Sequence, residues 1–256
     1  GQWCYESQNT CDDECKGPRQ WVSDFPACGG QRQSPINIIT RKVQYDPSLT
    51  PIMFEGYTEV MNITVTNVGY TISISNILYL KHSSLFVLLS KVHIVHIKEE
   101  YSTLKEAMND SVGVAALGFF FEVSPRENKQ LNKIIDALGR VRYNGDTDIT
   151  GFQLGDLLIS LENFSGYYRY AGSLTTPSCD EAIIWTLFKQ PIPVSQDQLN
   201  IIIRQMLFST GKPMIDIFRP VLNLNGRTVY TSHACPCVLL SLITLLLCLI
   251  FVFELI

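Results

Sequence analysis

Two segments of this chain alternate between apolar and polar residues with a period of two, and this pattern limits the fold more than any other feature. In residues 61–66, Met, Ile and Val alternate with Asn and two Thr residues, and in residues 71–75 two Ile residues alternate with Thr and Ser. A β-strand places successive side chains on opposite faces, so each segment is predicted to be a strand with one buried face.

Further segments predict the rest of a large twisted sheet with a few peripheral helices. Residues 114–123 and 182–188 are almost entirely apolar and rich in aromatic or β-branched residues, which is typical of strands buried on both faces. Residues 131–138 and 199–206 have apolar residues at helical spacing, and residues 195–198 before the second form a capping-box pattern. Residues 17–231 contain no repeat or low-complexity linker, so we predict one domain, with a cysteine-containing extension at 1–16 and a tail at 232–256.

The tail predicts attachment to a membrane. Residues 238–256 are apolar except for Ser241, Thr244 and Glu254, and about 20 apolar residues span a bilayer as a helix. A C-terminal apolar segment after small residues is also the signal for a glycolipid (GPI) anchor, with Ser232 as the expected attachment residue. A single membrane-spanning helix is the alternative.

Cysteines, glycosylation motifs and charge indicate the compartment. The chain has eight cysteines, and Asn-x-Ser/Thr motifs place candidate glycosylation sites at Asn62, Asn109 and Asn163. With the tail, they predict an extracellular glycoprotein at the cell surface. The 20 Lys and Arg residues do not outnumber the 24 Asp and Glu residues, and the formal net charge is −4. We therefore expect no nucleic-acid partner.

Three stretches together resemble alpha-class carbonic anhydrases. Residues 167–179 read YYRYAGSLTTPSC and are followed by Glu181 and Trp185; residues 33–38 read QSPINI; and residues 218–220 (FRP) precede an Asn-Gly-Arg at 225–227. The resemblance covers nearly all of residues 17–231, and the leading Trp-Cys-Tyr-Glu with the apolar tail resembles the membrane-anchored extracellular branch. It implies the carbonic anhydrase fold, which is a single domain around a large, twisted, mostly antiparallel central sheet.

The resemblance also implies a reaction. In the family, three neutral imidazoles hold Zn²⁺ and leave one position for water; two come from a His-x-His strand and the third from a neighbouring strand. The metal lowers the pKa of that water to about 7, and the hydroxide adds to CO₂ to give bicarbonate. A threonine hydroxyl orients the hydroxide, a carboxylate holds the threonine, and a shuttle residue passes protons to solvent.

Matching positions in this chain give the expected site residues. Thr175 matches the orienting threonine, His93 the third zinc ligand, and Tyr70 the shuttle, although a tyrosine pKa of about 10 makes it a poor proton carrier at neutral pH. The pocket wall is matched by Val95, Leu174, Thr176 and Trp185, and an extracellular-branch disulfide by Cys28 and Cys179. Cys4 is expected to pair with Cys11 or Cys15, and their spacing does not choose between them.

The sequence departs from the family pattern at the metal. It contains no His-x-His; its four histidines are His82, His93, His96 and His233. Residues i and i+3 of a strand lie on opposite faces, so His93 and His96 cannot share one metal ion. The interval from Tyr70 to His93 is shorter than in the family, and both the His-x-His strand and the supporting carboxylate belong there.

A second departure is Lys91, which stands where a glutamate normally supports the third ligand. A lysine cannot accept a hydrogen bond from an imidazole N–H. Three interpretations follow: the chain lacks a segment of an active enzyme, it is an inactive extracellular binding module, or His82 or Glu99 is recruited to the metal. Under the first two interpretations, the chain as given lacks two zinc ligands and is expected to show negligible CO₂ hydration.

Overall fold

The computed structural model describes residues 2–8, 15–76, 83–88, 91–158, 164–208 and 210–234. The strands are β1 Gln44–Tyr45, β2 Met61–Asn67, β3 Ile72–Asn76, β4 Ser83–Leu88, β5 Lys91–Ile97, β6 Val114–Ser124, β7 Thr147–Phe152, β8 Tyr167–Gly172, β9 Ile183–Phe188, β10 Ile192–Ser195 and β11 Tyr230–Thr231. The α-helices are α1 Leu104–Ala107, α2 Asn132–Arg140 and α3 Gln196–Gln205. Short 3-10 helices lie at Glu6–Gln8, Trp21–Ser23, Pro26–Gly29, Thr40–Lys42, Lys129–Leu131 and Leu154–Leu157.

All of these strands belong to one sheet. Its order is β1-β11-β8-β9-β6-β5-β4-β3-β2-β7, with β10 paired to the far end of β6. The pairs β1/β11, β6/β9 and β6/β10 are parallel, and the other pairs among the described residues are antiparallel. The predicted fold class, a large and mostly antiparallel sheet with few helices in a single domain, is confirmed.

The alternating segments form strands as predicted. In β2 the apolar Met61, Ile63 and Val65 are buried and the intervening residues are more exposed. In β3 the buried residues are Ile72 and Ile74. These side chains belong to the main hydrophobic core, so burial of one face is the physical reason for the alternation.

The prediction that residues 114–123 are buried on both faces is only half right. Residues 114–119 of β6 are buried apart from position 115, but Phe120 and Val123 are 50% and 53% exposed. Beyond Gly118 the strand leaves β9 and pairs with β10. In this second half of β6, Phe121 is more buried than Phe120 and Val123, and it packs against the main hydrophobic core from one face of the strand only.

The two predicted helices begin close to the expected residues. The capping box of α3 is present: Ser195 Oγ accepts from the Gln198 N–H at 3.2 Å, and Gln198 Oε1 accepts from the Ser195 N–H at 3.1 Å. Helix α2 starts at Asn132, directly after a 3-10 turn, and buries Ile134, Ile135 and Leu138.

The N-terminal extension packs against the domain. Cys4 forms a disulfide with Cys15, which settles the choice left open by spacing; Cys11 lies outside the described residues. The Trp3 ring contacts those of Trp21 and Tyr70 at centroid distances of 5.3 and 4.7 Å. Among the described residues, no helix has the length and apolarity needed to cross a bilayer, and positions 238–256 of the predicted anchor lie outside them.

Candidate functional site

A cavity of about 230 Å³ lies on one face of β5, β6 and β9, and we call it the His93 pocket. It contains every residue that the resemblance placed at the active site or on its wall. Strand β5 contributes two of them, β9 one, the turn before β3 one, and the loop after β8 three. They are His93, Val95, Trp185, Tyr70, Leu174, Thr175 and Thr176.

His93 lies half-buried on the wall of this pocket. Its ring meets the indole of Trp185 edge to face, with centroids 4.8 Å apart. Burial lowers the pKa of His93 below its usual range, and the charge of Lys91 on the same strand lowers it further. The imidazole is therefore neutral at physiological pH, which is the protonation state that a metal ligand requires.

The loop carrying Thr175 is held by hydrogen bonds to its backbone groups and by a disulfide. The Leu174 N–H donates to the Asp180 carbonyl at 3.1 Å, and the Trp185 indole N–H donates to the Ser173 carbonyl at 2.9 Å. The Cys28–Cys179 disulfide implied by the resemblance is present, with an S–S distance of 2.03 Å. It ties the end of this loop to the N-terminal part of the domain.

A buried polar network supports the same loop, and sequence reasoning did not single out its residues as functional. Gln33, 2% exposed, donates from Nε2 to the Cys179 carbonyl at 3.1 Å and to Glu181 Oε1 at 2.9 Å. Arg219, 5% exposed, donates to Gln33 Oε1 at 2.7 Å and to the Cys28 carbonyl at 2.8 Å. Gln33 lies in the QSPINI stretch and Arg219 in the FRP stretch, so these two motifs contribute residues that support the loop.

Aromatic rings form another part of the pocket wall. Tyr70 is half-buried, and burial raises its pKa above the usual tyrosine value. Tyr5 from the N-terminal extension is 3% exposed, and burial also raises its pKa. Sequence reasoning missed Tyr5 and five further lining residues, which are Thr71, Leu104, Ala116, Pro177 and Ile183. Strand alternation could have found Ala116 and Ile183, because each lies two residues from, or in register with, another lining residue.

The described residues do not fit a catalytic zinc ion. Among them, no group of three His, Cys, Asp or Glu side chains is close enough to hold a metal. Strand β4 pairs with β5 so that Phe86 is opposite His93, and β4 contains no histidine. His96 lies on the other face of β5, hydrogen-bonded through Nε2 to the Tyr57 hydroxyl at 2.8 Å. His82 lies outside the described residues.

The predicted modification sites among the described residues, Asn62, Asn109 and Ser232, do not line the His93 pocket. Asn62 and Asn109 are exposed, and Asn163 lies outside the described residues. Ser232 is half-buried at the end of β11, where its Oγ accepts from the Tyr167 N–H at 3.0 Å and donates to the Ser165 carbonyl at 2.8 Å.

Comparison with known proteins agrees with this architecture. The family model for eukaryotic-type carbonic anhydrases matches residues 16–85 and 88–233, and the chain belongs to that family. Similar relatives include carbonic anhydrase 4 of Rattus norvegicus, 32% identical over 270 aligned positions that cover 91% of this chain and 85% of the relative. Carbonic anhydrase 15 of Mus musculus is 30% identical over 303 positions (96% and 90%), and carbonic anhydrase 12 of Homo sapiens is 32% identical over 256 positions (85% and 71%). Reversible hydration of CO₂ is the function of the family.

Proposed function

We propose that this chain is a cell-surface carbonic anhydrase family protein that keeps the substrate pocket but, with the sequence it has, does not hold catalytic zinc and does not hydrate CO₂. A catalytic zinc site uses three protein ligands. Within the described part of the His93 pocket, one imidazole is available and no carboxylate lines the wall. This donor set is the observation that carries the proposal.

The pairing of β4 supports the same conclusion. In an antiparallel pair, directly opposite residues share a face, so the positions of β4 in register with His93 and Val95 are where a neighbouring strand could supply ligands. Phe86 and Ser84 occupy them. Neither phenylalanine nor serine provides the imidazole nitrogen that catalytic zinc sites of this family use.

The comparisons favour a missing internal segment as the origin of this sequence. The alignments with the rat and mouse relatives run over more positions than this chain has residues. Those relatives therefore carry residues that have no counterpart here. A gap in residues 77–91, where the interval before His93 is short, would remove the His-x-His strand.

An inactive extracellular binding module is the second candidate. The observation favouring it is that the pocket remains formed. Its wall, the threonine loop and the supporting network of Gln33 and Arg219 are all in place without the metal ligands.

Placement at the outer cell surface is part of the proposal. The disulfides Cys4–Cys15 and Cys28–Cys179 suit an oxidising compartment. The exposed Asn62 and Asn109 are accessible to glycosylation. The apolar tail after Ser232 supplies the anchor, and release of the protein from cells by a phosphatidylinositol-specific phospholipase would identify it as a glycolipid.

The metal proposal is tested on purified protein. After dialysis against micromolar zinc followed by metal-free buffer, we expect much less than one bound zinc per chain by elemental analysis. CO₂ hydration in a stopped-flow pH-indicator assay should match the buffer control. One tightly bound zinc with rapid hydration would overturn the proposal and show that His82 or a carboxylate completes the site.

A further inference from the structure

The reverse face of the sheet carries a second cavity, of about 570 Å³, which we call the Arg169 cavity. Strands β5, β6 and β9 form its floor, and residues 52–57 form part of its wall. The floor residues alternate with those of the His93 pocket along the same strands, so the two cavities open on opposite faces. The floor consists of His96, Ala115, Leu117, Ile184 and Thr186.

Arg169 on β8 is held in a defined position in this lining. Its Nε donates to Oγ1 of Thr186 at 3.1 Å, and Thr186 is 1% exposed. Its guanidinium carbon lies 4.9 Å from the centre of the Tyr167 ring. Within the described residues, neither terminal nitrogen of Arg169 has a hydrogen-bond or ion-pair acceptor. The two terminal nitrogens carry four N–H donors, and none of the four has a partner among the described residues.

Among the described residues, Arg169 is the cation of this lining that makes no ion pair. Lys98 is paired with Asp110 at 2.5 Å and with Glu100 at 3.8 Å. Glu55 is exposed and, within the described chain, makes no ion pair with Arg169. Outside the cavity, Asp46 has its pKa lowered mainly by hydrogen bonds from Ser48, and the charge of Arg169 adds only a smaller effect.

We infer that the Arg169 cavity binds a small organic carboxylate with an apolar body. A guanidinium with free, coplanar N–H groups binds both oxygens of a carboxylate at once. Apolar walls from Phe54, Leu117 and Ile184 face the same space. A cavity of about 150 Å³ already holds benzene, so this one has room for a two-ring carboxylate together with water.

The test compares a carboxylate with its uncharged analogue. The purified protein is titrated with 2-naphthoate and with 2-naphthalenemethanol by calorimetry, and the site is located by amide shifts in nitrogen-labelled protein. We expect saturable binding of naphthoate, shifts centred on residues 169 and 184–186, and weaker binding of the alcohol. Arg169→Gln should weaken naphthoate binding by about 10- to 100-fold, whereas Arg41→Gln, the same charge change at an exposed position elsewhere, should leave it unaltered.

A second variant fills the cavity without touching the guanidinium. Ala115 is exposed on the floor, and Ala115→Phe places an aromatic ring there in a residue type that strands favour. It should abolish binding while the protein stays folded by circular dichroism. Absence of saturable binding, equal binding of the alcohol, or full binding by either Arg169→Gln or Ala115→Phe would overturn the inference. Metal chelators should change none of these results, so the outcome is independent of the zinc proposal.

Discussion

The His93 pocket and the Arg169 cavity share three strands but differ in charge. The described lining of the His93 pocket contains aromatic, aliphatic and hydroxyl side chains with one neutral imidazole and no Asp, Glu, Lys or Arg. The part of the Arg169 cavity lining that the structure describes contains two cations and one carboxylate. Because alternate residues of one strand line the two spaces, a sheet can carry two unrelated binding environments a few ångströms apart.

The two faces also differ in how they are supported. The loop of the His93 pocket depends on a disulfide and on the buried pair Gln33 and Arg219. The Arg169 cavity depends on side chains of the sheet itself, such as Thr186 beneath Arg169. Damage to the loop is therefore expected to affect one face and spare the other.

The largest expected effect is a gain of metal binding on the His93 face alone. Ser84→His/Phe86→His places two imidazoles on β4 at positions of the same parity as His93, restoring a three-imidazole set. Zinc affinity should rise by roughly three orders of magnitude or more, because each ligand adds a bond and preorganises the others. Competition with a chromophoric chelator measures it.

The matched control is Ser84→His/Leu85→His, which adds the same two side chains with one on the opposite face. Its gain should be far smaller than that of the first variant. Equal gains would show that the backbone register of β4 and β5 does not govern access to the pocket.

Removal of the Cys28–Cys179 disulfide tests the difference in support. This bridge joins residues 151 positions apart in the sequence, whereas the Cys4–Cys15 bridge joins residues only 11 positions apart. In the chain-entropy description a longer loop gives more stabilisation, and losing a native bridge costs about 2–5 kcal/mol. Replacing the first pair with serine should therefore lower the free energy of unfolding more than replacing the second, as measured by urea denaturation. A larger loss from the second pair would contradict this ranking.

A smaller loss is expected from Gln33→Met. The substitution keeps the volume but leaves the Cys179 carbonyl and an Arg219 N–H without a partner. An orphaned buried polar group costs about 1–3 kcal/mol. The same change at the exposed Gln44 should be near neutral. Binding of naphthoate at the Arg169 cavity should survive Gln33→Met under native conditions, and its loss would show that the faces are coupled.

The smallest effect concerns pH and the imidazole of the Arg169 cavity. Burial lowers the pKa of His96 below its ordinary value of 6.5, so the unfolded chain binds more protons than the folded one below that pH. Stability should fall as pH drops from 7 to 5, with His96 contributing at most about 1.4 kcal/mol per pH unit. His96→Gln should flatten the slope of unfolding free energy against pH, and an unchanged slope would contradict the assignment.

Local sequence patterns predicted those parts of the fold that depend on local physics. The alternation in β2 follows from one buried face, and the capping box of Ser195 and Gln198 needs only four residues. The exposure of Phe120 and Val123 was not predictable, because it depends on where β9 ends and β10 begins beside β6. An apolar segment alone does not show whether elements distant in the sequence bury one of its faces or both.

The candidate site was predictable where motif residues line the pocket directly. His93 and Trp185 line one pocket because β5 and β9, which carry them, both pair with β6, and the loop after β8 adds Thr175 to the same lining. The pairing of Cys4 with Cys15 was not predictable from spacing. Nor was the Arg169 cavity, since Arg169 and Thr186 meet only through the antiparallel register of β8 and β9.

The hydrogen bonds of Ser232 have a consequence for how the protein would sit on a cell. Its Oγ is bound to the backbone of residues 165 and 167, so this residue belongs to the folded domain. A glycolipid attached at its carboxyl group would begin at the domain surface, with its own glycan and no flexible polypeptide segment between the domain and the bilayer. The domain would then lie close to the membrane surface in a restricted orientation, with the end of β11 facing the lipid headgroups. The orientation of the domain on the membrane would decide which molecules reach each cavity, as much as the lining residues do.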